Sequence, residues 1–548
     1  MSYVSKKLLN YSHYLFFIFF FIIGICLYKD FGFNIDESFQ RKSGLYWLKY
    51  ISDFFQFNDF SLAVKQKLNL ADDFTIPWFG DYGIIFDLPA ALFEIMLDIK
   101  EPLKVYELRH LLNFFYFFFG VIFLYKLLSK RFSKKILPLL GILLFVLTPR
   151  LFGDSFHNNK DIIFLTFFII SIYYYFENFN KNSLKNILLL SLFSAIATST
   201  RIFGIIIPFG ILLLYFLSIL SNKKEIKNLK FIIYFFIFYF LFLILHWPFL
   251  WENTLTNIYD FLTHYKVSFG PPLVFFNGEF YKPNLVPQYY LLLWIFISTP
   301  VLNLMLFTSG FFILLKRVFY KFDFINENRN NYDFWKNSNE KKDFFLLIIF
   351  LILILIGSFF DIKYYNSWRF FYFLNFFIIY FSLIFLEYYL EKIKLKKIFN
   401  YFYVSLFFIL VFLNVYKVII YHPYQSLYFN SLIPNKMKNN FEVDFMGLSS
   451  IEFLRNLDKN YKGEVKLGVK SWYPIWRTHS LLNEKAKSKI KLVFEDEILS
   501  ADILYSNRIY DVNIFKSNKY NFEGKFTKTK ELVIDNLIIY EIFEKKLK

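Results

Sequence analysis

The chain has 548 residues, of which 56% are hydrophobic, including 81 phenylalanines and 41 tyrosines; a soluble core cannot bury this much apolar surface, so the solvent is partly lipid. The formal net charge of +18 does not indicate a nucleic-acid-binding protein, because the lysines and arginines gather in short clusters between apolar segments. The single cysteine, Cys26, excludes an intrachain disulfide.

Apolar segments long enough to cross the ~30 Å hydrocarbon layer as helices recur up to residue 420. They predict a polytopic α-helical membrane protein with about eleven transmembrane helices. The predicted spans lie near residues 12–28, 107–126, 136–151, 161–177, 185–199, 202–220, 230–247, 298–315, 343–360, 370–388 and 399–420. Residues 185–220 can also form one long broken helix, because the polar stretch Thr198 to Arg201 interrupts them.

The positive charges of the loops indicate how these spans are oriented, since short loops rich in lysine and arginine stay in the cytoplasm. With a cytoplasmic N-terminus, the inner loops carry dense clusters, such as Lys126 to Lys135 and Lys316 to Arg317. The short outer loops are poorer in these residues. We therefore predict that the N-terminus is cytoplasmic.

Two outer loops are long, residues 29–106 and 248–286. In the first, charged residues and a proline interrupt the apolar stretch Tyr82 to Leu97, so this stretch fits a helix lying at the membrane interface better than a span. The second is predicted to be loop-like because it contains many turn-forming residues. These are Gly270, Pro271, Pro272, Gly278 and Pro283.

After residue 420 the composition becomes mixed, with no apolar run long enough to cross the bilayer. We predict two domains, a transmembrane domain over residues 1–420 and a small soluble α/β domain over residues 421–548 on the outer side. In the second, Ser449 to Leu457 is predicted to be a helix. Strands are predicted at Val465 to Val469, Lys491 to Phe494, Asp502 to Tyr505 and Leu532 to Phe543, the last as a hairpin that turns at Asp535 and Asn536.

A carboxylate pair, Asp36 and Glu37, follows the first span on the outer side. Ionisable residues beside the hydrocarbon layer are costly, so their positions are informative. A carboxylate here can take the proton of an acceptor hydroxyl and strengthen it as a nucleophile. The alternative is a helix cap or a solvated loop, since acidic residues are common where a helix begins.

Polar side chains also crowd the short outer turn between the third and fourth predicted spans. Arg150 and Lys160 can hold a phosphate, the first as a planar fork and the second as a compact charge. Asp154, His157 and Asp161 are candidates for binding a divalent ion or orienting an acceptor. The alternative makes Asp161 a helix cap and the basic residues anchors to lipid headgroups.

Two more arginines lie at the outer ends of predicted helices. Arg369 opens the tenth span, and Arg201 ends the polar break after Thr200. Each can bind a lipid phosphate, or extend towards the headgroups without a specific role.

Several of these polar stretches are similar to known sequence motifs. Asn34 to Glu37 is similar to an Asp-Glu motif, and Pro149 to Asp161 is similar to Pro-Arg followed by Asn-Pro-Lys-Asp, with Asn159 in place of the proline. Tyr365 to Phe370 is similar to Tyr-Asp-Gly-Trp-Arg-His. Weaker similarities to paired motifs cover Val286 to Tyr290 with Ser298 to Pro300, and His422 to Asn430 with Phe441 to Ser449. In this order, the motifs resemble those of the dolichyl-phosphate-mannose protein mannosyltransferase family and its bacterial relatives, including the aminoarabinose transferases.

The resemblance implies the membrane glycosyltransferase fold called GT-C, in which acidic groups of the outer loops meet a sugar linked to a polyprenyl phosphate. It implies that Asp36 is the catalytic base and that no cofactor is required, although Asp154 and Asp161 can still hold a divalent cation. The expected partners are a polyprenyl-phosphate-linked sugar, the lipid bilayer and an acceptor protein, lipid or glycan, without nucleic acid. The expected location is a bacterial inner membrane, with the active site and the C-terminal domain in the periplasm.

Our hypothesis is an inverting displacement in which Asp36 takes the acceptor proton and Glu37 orients the acceptor or the loop. The leaving polyprenyl phosphate enters a basic donor site. The residues of that site are Arg150, Lys160, Arg201 and Arg369. The hypothesis requires that Asp36, Lys160 and Arg369 meet at one place.

Three alternatives stay open at this point. One is a transporter or flippase for a lipid-linked substrate, although charged residues at one membrane face favour an enzyme over the broken helices typical of transporters. Another is a glycan ligase or polymerase that uses a polyprenyl-diphosphate donor. The last is an inactive relative whose tail binds a partner, and the departures from the family motifs support it. These departures are Asn159, Gln288, Asn366, Ser367 and Phe370.

Overall fold

The computed structural model describes residues 3–68, 80–180, 183–221, 229–264, 273–327, 334–364, 366–392, 397–509, 522 and 524–546. Helices dominate up to residue 420. They are α1 (Tyr3–Leu27), α2 (Glu37–Phe54), α3 (Asn58–Leu68), α4 (Asp87–Met96), α5 (Pro102–Arg131), α6 (Ile136–Val146), α7 (Pro149–His157), α8 (Asp161–Asn180), α9 (Leu184–Thr200), α10 (Ile206–Ser221), α11 (Leu229–His246), α12 (Thr254–His264), α13 (Tyr290–Ser298), α14 (Val301–Glu327), α15 (Ser338–Phe359), α16 (Leu374–Lys392) and α17 (Lys397–Ile420).

The predicted spans coincide with apolar helices. Among the described residues, eight helices are long and apolar enough to cross a bilayer, and α6 with α7 forms a ninth span if the bent pair is counted as one. Two shorter apolar helices, Tyr11–Leu27 and Leu184–Thr200, coincide with the first and fifth predicted spans. The chain is therefore a multi-pass membrane protein, as its composition predicts.

The region 185–220 forms two helices. The chain leaves α9 at Arg201, whose φ of −149° is not helical, and passes through a short 3-10 helix, Ile202–Ile205, into α10. The turn is tight, because a Cβ on Gly204 would lie 2.4 Å from the backbone nitrogen of Thr198. This places Arg201 between the two helices.

The turn expected between the third and fourth spans is instead mostly helix. Pro149 begins α7, where its fixed φ and missing N–H suit the first turn. α7 is bent by 68° relative to α6, so the predicted span 136–151 is broken at residues 147–148. Every residue from Pro149 to His157 is buried, and the polar side chains of α7 therefore point into the protein.

The two long loops that we predicted to be outer also contain regular structure. In the loop 29–106, α2 and α4 pack together, and Arg41 of α2 binds both carboxylate oxygens of Glu94 at 2.9 and 2.6 Å. In the loop 248–286, which we expected to be irregular, α12 is followed by a hairpin of β1 (Val274–Phe276) and β2 (Glu279–Tyr281). Of the residues used for these predictions, Gly270 to Pro272 lie outside the described residues, as does Tyr365 of the motif before Arg369.

A buried ion cluster joins the end of α5, the beginning of α15 and the end of α16. Arg131 binds Asp343 at 2.7 and 2.6 Å and Glu387 at 3.1 Å, and Tyr380 donates to Asp343 at 2.7 Å. Because both carboxylates share one guanidinium, the cluster fixes these helix ends to one another.

The tail contains a five-stranded sheet. Its helices are α18 (Asn435–Lys438), α19 (Ser449–Asn460), α20 (Ile475–His479) and α21 (Glu484–Lys489), and its strands are β3 (Val465–Val469), β4 (Ile490–Leu492), β5 (Ile503–Ser506), β6 (Phe526–Ile534) and β7 (Leu537–Lys545). The strand order is β4-β3-β5-β7-β6, with β3 parallel to β4 and β5 and the β5–β7 and β6–β7 pairs antiparallel. The hairpin turns at Asp535 and Asn536, both with positive φ, as predicted.

The fold class is therefore the predicted one, a polytopic helical protein with a small C-terminal α/β region. α17 ends at Ile420 and the sheet lies entirely beyond it. The segment that follows α17 returns to the helices, since the Asn430 side chain donates to the carbonyls of Phe296 and Thr299 at 2.6 and 2.7 Å. A division into separate domains at residue 420 stays a prediction.

Candidate active site

Asp36 lies immediately before α2, and its side chain does not cap that helix. Its backbone nitrogen donates to the side chain of Asn34 at 2.9 Å, while its carboxylate makes no hydrogen bond to the first N–H groups of α2. Instead, Oδ2 of Asp36 accepts from Nη1 of Arg369 at 2.7 Å. The helix-cap alternative therefore does not apply to Asp36, whose side chain is 20% exposed.

Glu37 is buried and holds the loop that carries Asp36. Its carboxylate accepts the backbone N–H of Asn34 at 3.0 Å and lies 3.2 Å from Nε2 of His110. The Asn34 side chain in turn donates to the carbonyl of His157 at 3.1 Å. Of the two roles that the sequence left open for Glu37, this position suits holding the loop.

Three of the four predicted phosphate ligands stand in a row with two aromatic rings. Lys160 and Arg201 lie 5.3 and 5.6 Å from the ring centroid of Tyr82, and Arg201 and Arg369 lie 4.9 and 5.3 Å from that of Phe370. The faces of aromatic rings attract cations, so the two rings keep these positive groups close together. Arg369 ends the row at Asp36. Of the residues that the hypothesis requires at one place, Arg369 contacts Asp36 directly. Lys160 is linked to Arg369 through Tyr82, Arg201 and Phe370.

Buried carboxylates balance the charge of this row. Asp87 binds Lys160 at 2.7 Å and Arg109 at 2.5 Å, and Asp161 binds Arg201 at 2.7 Å. Asp87 and Arg109 were not among the predicted site residues. A signal was present, because both are charged residues within apolar stretches, where such residues are rare unless they are paired.

Arg150 lies apart from the row. Its guanidinium lies about equally far from the rings of Trp294 and Phe429, at 5.0 and 5.1 Å. It donates to the carbonyl of Tyr428 at 2.8 Å and to the hydroxyl of Ser367 at 3.3 Å. Because Ser367 is two residues before Arg369, Arg150 is placed to support the loop of Arg369 from behind.

The remaining predicted residues are Asp154, His157 and Asp161. The two carboxylates are linked through the side chain of Asn158, and His157 bonds elsewhere. The amide nitrogen of Asn158 lies 3.4 Å from Oδ2 of Asp154 and 3.0 Å from Oδ2 of Asp161, and its side-chain oxygen accepts the N–H of Asp161 at 3.2 Å. His157 bonds to the hydroxyl of Ser426 at 2.9 Å. In the described part of the chain, no group of three His, Cys, Asp or Glu residues is arranged to hold a metal ion.

The loop before Arg369 is held by Glu442, which lies in the motif stretch Phe441 to Ser449 but was not among the predicted site residues. Asn366 and Ser367 have φ values of 54° and 61°, in the left-handed region that most residues avoid. The carboxyl group of Glu442 accepts the N–H of Asn366 at 3.0 Å and that of Phe275 at 3.4 Å. Glu442 thus joins this loop to the β1–β2 hairpin and stabilises its unusual backbone.

We expect Glu442 to make the stability of the protein depend on pH. Burial raises the pKa of Glu442 from its usual 4.5 to about 8. Between these values the folded protein retains a proton that the unfolded chain has lost, so the free energy of unfolding decreases as the pH rises. Thermal unfolding of the purified protein between pH 5 and pH 8 measures this slope. In Glu442→Gln the slope is expected to be smaller, and an identical slope in both proteins would contradict the assignment.

Residues 111–251 match the model of the dolichyl-phosphate-mannose-protein mannosyltransferase family, which confirms the predicted resemblance over that stretch. No curated protein sequence matches the chain significantly.

Among solved structures, ArnT from Cupriavidus metallidurans bound to undecaprenyl phosphate is similar with a TM-score of 0.44 and 8% identity, over 97% of this chain and 98% of that one. Its apo form gives a TM-score of 0.46 at 8% identity, over 99% and 98% of the two chains. The apo oligosaccharyltransferase of Archaeoglobus fulgidus gives 0.45 at 12% identity, over 88% of this chain and 64% of that one.

Proposed function

We propose that this protein is a glycosyltransferase that transfers a sugar from a polyprenyl-phosphate donor to an acceptor hydroxyl at the outer face of a bacterial inner membrane. Asp36 acts as the base, and Lys160, Arg201 and Arg369 receive the donor phosphate. The match of residues 111–251 to a mannosyltransferase family model supports this reaction class.

The proposed reaction is a single inverting displacement. The acceptor hydroxyl gives its proton to the Asp36 carboxylate as its oxygen bonds to the anomeric carbon of the sugar. The bond between this carbon and the phosphate oxygen breaks, and the polyprenyl phosphate leaves with the electron pair. Cations fixed in place before the reaction stabilise the negative charge that develops on the phosphate.

The observation that carries the proposal is the contact of Asp36 with one end of the cation row. Asp36 is partly exposed, whereas Glu37 is only 1% exposed, so of the two carboxylates Asp36 is the one that a substrate can reach. A lysine offers three N–H donors and an arginine five, so an ion pair with one carboxylate does not use all of them. The donors of the row therefore suit the several oxygens of a phosphate group.

Glu37, Arg150 and Glu442 have supporting roles in this proposal. Glu37 holds the loop of Asp36, while Arg150 and Glu442 hold the loop of Arg369. Fixing both loops keeps the base and the end of the cation row at a constant separation. Such preorganisation lowers the cost of reaching the transition state.

A transfer assay tests the proposal. The purified protein is placed in vesicles and supplied with one radiolabelled polyprenyl-phosphate sugar at a time, together with a membrane extract as the source of acceptors. We expect label from at least one donor to move from the lipid to an acceptor. Parallel reactions with polyprenyl-diphosphate-linked glycans test for a ligase or polymerase.

A transporter would behave differently in the same vesicles. It would move the labelled lipid from one leaflet to the other without changing it chemically. Label that changes leaflet but stays on the polyprenyl phosphate with every donor would therefore contradict the proposal. Transfer from the diphosphate donors alone would contradict the donor class.

A further inference from the structure

The tail packs directly on the loop that carries Asp36. The backbone nitrogen of Ile35 donates to the carbonyl of Met446 at 3.0 Å, and the sulfur of Met446 lies 3.6 Å from Nη1 of Arg369. A Cβ on Gly32 would lie 1.9 Å from the carbonyl oxygen of Leu448, so only glycine permits this approach. The tail therefore forms one wall beside Asp36.

Arg477, on α20 of the tail, lies against the beginning of α2, next to Asp36. Its Nη1 donates to the carbonyl of Ile35, the residue before Asp36, at 3.3 Å. Its guanidinium lies 4.2 Å from the ring centroid of Phe39. The backbone of Asp36 is already helical, with φ −75° and ψ −23°, so the spacing of three residues places Asp36 and Phe39 on the same side of this first turn. Arg477 is therefore a close neighbour of the proposed base.

Arg477 differs from the cations of the row in its surroundings. Lys160, Arg201 and Arg369 are at least 92% buried, and each is paired with a carboxylate, whereas Arg477 is only half-buried. Within the described ranges, Arg477 forms no direct ion pair, although the charge of Asp36 is near enough to act on its guanidinium. Its charge therefore has both solvent access and donors that can meet a ligand.

An exposed indole continues the surface from Arg477. The guanidinium lies 5.1 Å from the ring centroid of Trp476, and 52% of Trp476 is exposed. A large aromatic side chain exposed on the wall of a site is typical of a binding surface. Arg477 thus lies between the backbone next to Asp36 and the exposed indole of Trp476.

We propose that Arg477 and Trp476 form the acceptor subsite and that the acceptor is a carbohydrate. The inference rests on the proposed function, in which Asp36 takes the proton of the acceptor. In an inverting displacement the acceptor approaches from the side opposite the phosphate, so groups beside Asp36 and outside the cation row meet the acceptor. The face of a pyranose ring that carries C–H groups packs on the indole of Trp476. The N–H donors of Arg477 bind the hydroxyl oxygens of the sugar.

Separate measurement of transfer and of donor hydrolysis tests the subsite. The labelled donor that is active in the vesicle assay is used in two sets of reactions. In one set the protein is supplied with p-nitrophenyl glycosides, and in the other with a pool of serine- and threonine-containing peptides. Slow release of free sugar from the donor is recorded without acceptor, since water then takes the place of the hydroxyl. Hydrolysis needs Asp36 and the donor site but no acceptor subsite.

We expect the wild-type protein to transfer label to at least one glycoside. Arg477→Gln should raise the KM for that glycoside about 10- to 100-fold, as for losing hydrogen bonds to a charged group. Trp476→Ala should raise the same KM about 3- to 10-fold, because one aromatic contact with the sugar is lost. Donor hydrolysis should fall much less than transfer in both, and Arg477→Lys should restore part of the affinity. Arg455→Gln, at an exposed position of α19, is the matched control and should leave both rates unchanged.

Three results would overturn the inference and leave the proposed function in place. Transfer to the peptides with none to the glycosides would exclude a carbohydrate acceptor. An unchanged KM in both Arg477→Gln and Trp476→Ala would exclude the subsite, although the proposed function would stand. An equal loss of transfer and hydrolysis in both variants would assign these residues a purely structural role. If the wild-type protein neither transfers nor hydrolyses any donor, the proposed function fails first and the subsite fails with it.

Discussion

Replacing Asp36 with asparagine is expected to lower the rate of sugar transfer about 100- to 10,000-fold, the usual contribution of a general base. Asparagine has nearly the same shape and its oxygen can still accept from Arg369, but it cannot take the proton of the acceptor hydroxyl. The loop of Asp36 should keep its position, because Asn34, Glu37 and His157 hold it. Turnover in the vesicle assay, with saturating donor, measures the effect.

Asp30→Asn is the control for this experiment. Asp30 lies in the same loop and is 46% exposed, and its carboxylate pairs with His422 at 3.0 Å, away from Arg369. We expect this variant to retain its turnover. Asp36→Asn should elute from size-exclusion chromatography like the wild type, which separates a chemical defect from misfolding. Full transfer by a well-folded Asp36→Asn would end the assignment of the base.

Asp87→Asn is expected to cause the largest loss of stability, about 3 to 5 kcal/mol, as when one partner of a buried ion pair is removed. Asp87 is 1% exposed and its two oxygens bind different cations, Arg109 and Lys160. The substitution leaves both cations buried without the negative charge of Asp87. Because they are buried, water cannot solvate them in its place. Thermal unfolding in detergent should show a much lower midpoint. Any protein that folds should bind the donor less well, because Lys160 loses its fixed position.

Asp98→Asn is the matched control, since Asp98 lies at the other end of the same segment and is 72% exposed. Its ion pairs with Lys67 and Lys100 are both 3.5 Å long. Exposed pairs contribute little to stability, so its unfolding midpoint should match that of the wild type. An Asp87→Asn protein with wild-type stability would mean that Arg109 and Lys160 find other partners, and that Asp87 does not organise the cation row.

Two clusters of buried ion pairs lie at different ends of the helices. Asp87 and its two cations lie near the loop 29–106, and Arg131 lies with Asp343 and Glu387 at the opposite helix ends. Each cluster pairs opposite charges in a buried setting, where breaking one partner is far more costly than at the surface. The cluster of Asp87 includes Lys160, which belongs to the cation row that ends at Asp36, and the proposed chemistry therefore lies at that end.

Local sequence determined the membrane-spanning helices of this fold. Whether a segment crosses the bilayer depends on its length and apolar content, so each predicted span falls on an apolar helix or helix pair. The hairpin turn at Asp535 and Asn536 was also predictable, because these residue types tolerate positive φ. The sequence likewise selected Asp36 and Arg369, since charged residues at the end of an apolar segment are rare without a reason.

Only the tertiary structure decided which of these residues meet. The bond between Asp36 and Arg369 joins residues 333 positions apart, and no local pattern encodes such a contact. Packing likewise turned the expected turn at residues 149–157 into the buried helix α7 and brought Arg477 of the tail beside Asp36. The physical reason is that propensity and hydropathy act over a few residues, whereas ion pairs and ring contacts depend on how distant helices pack together.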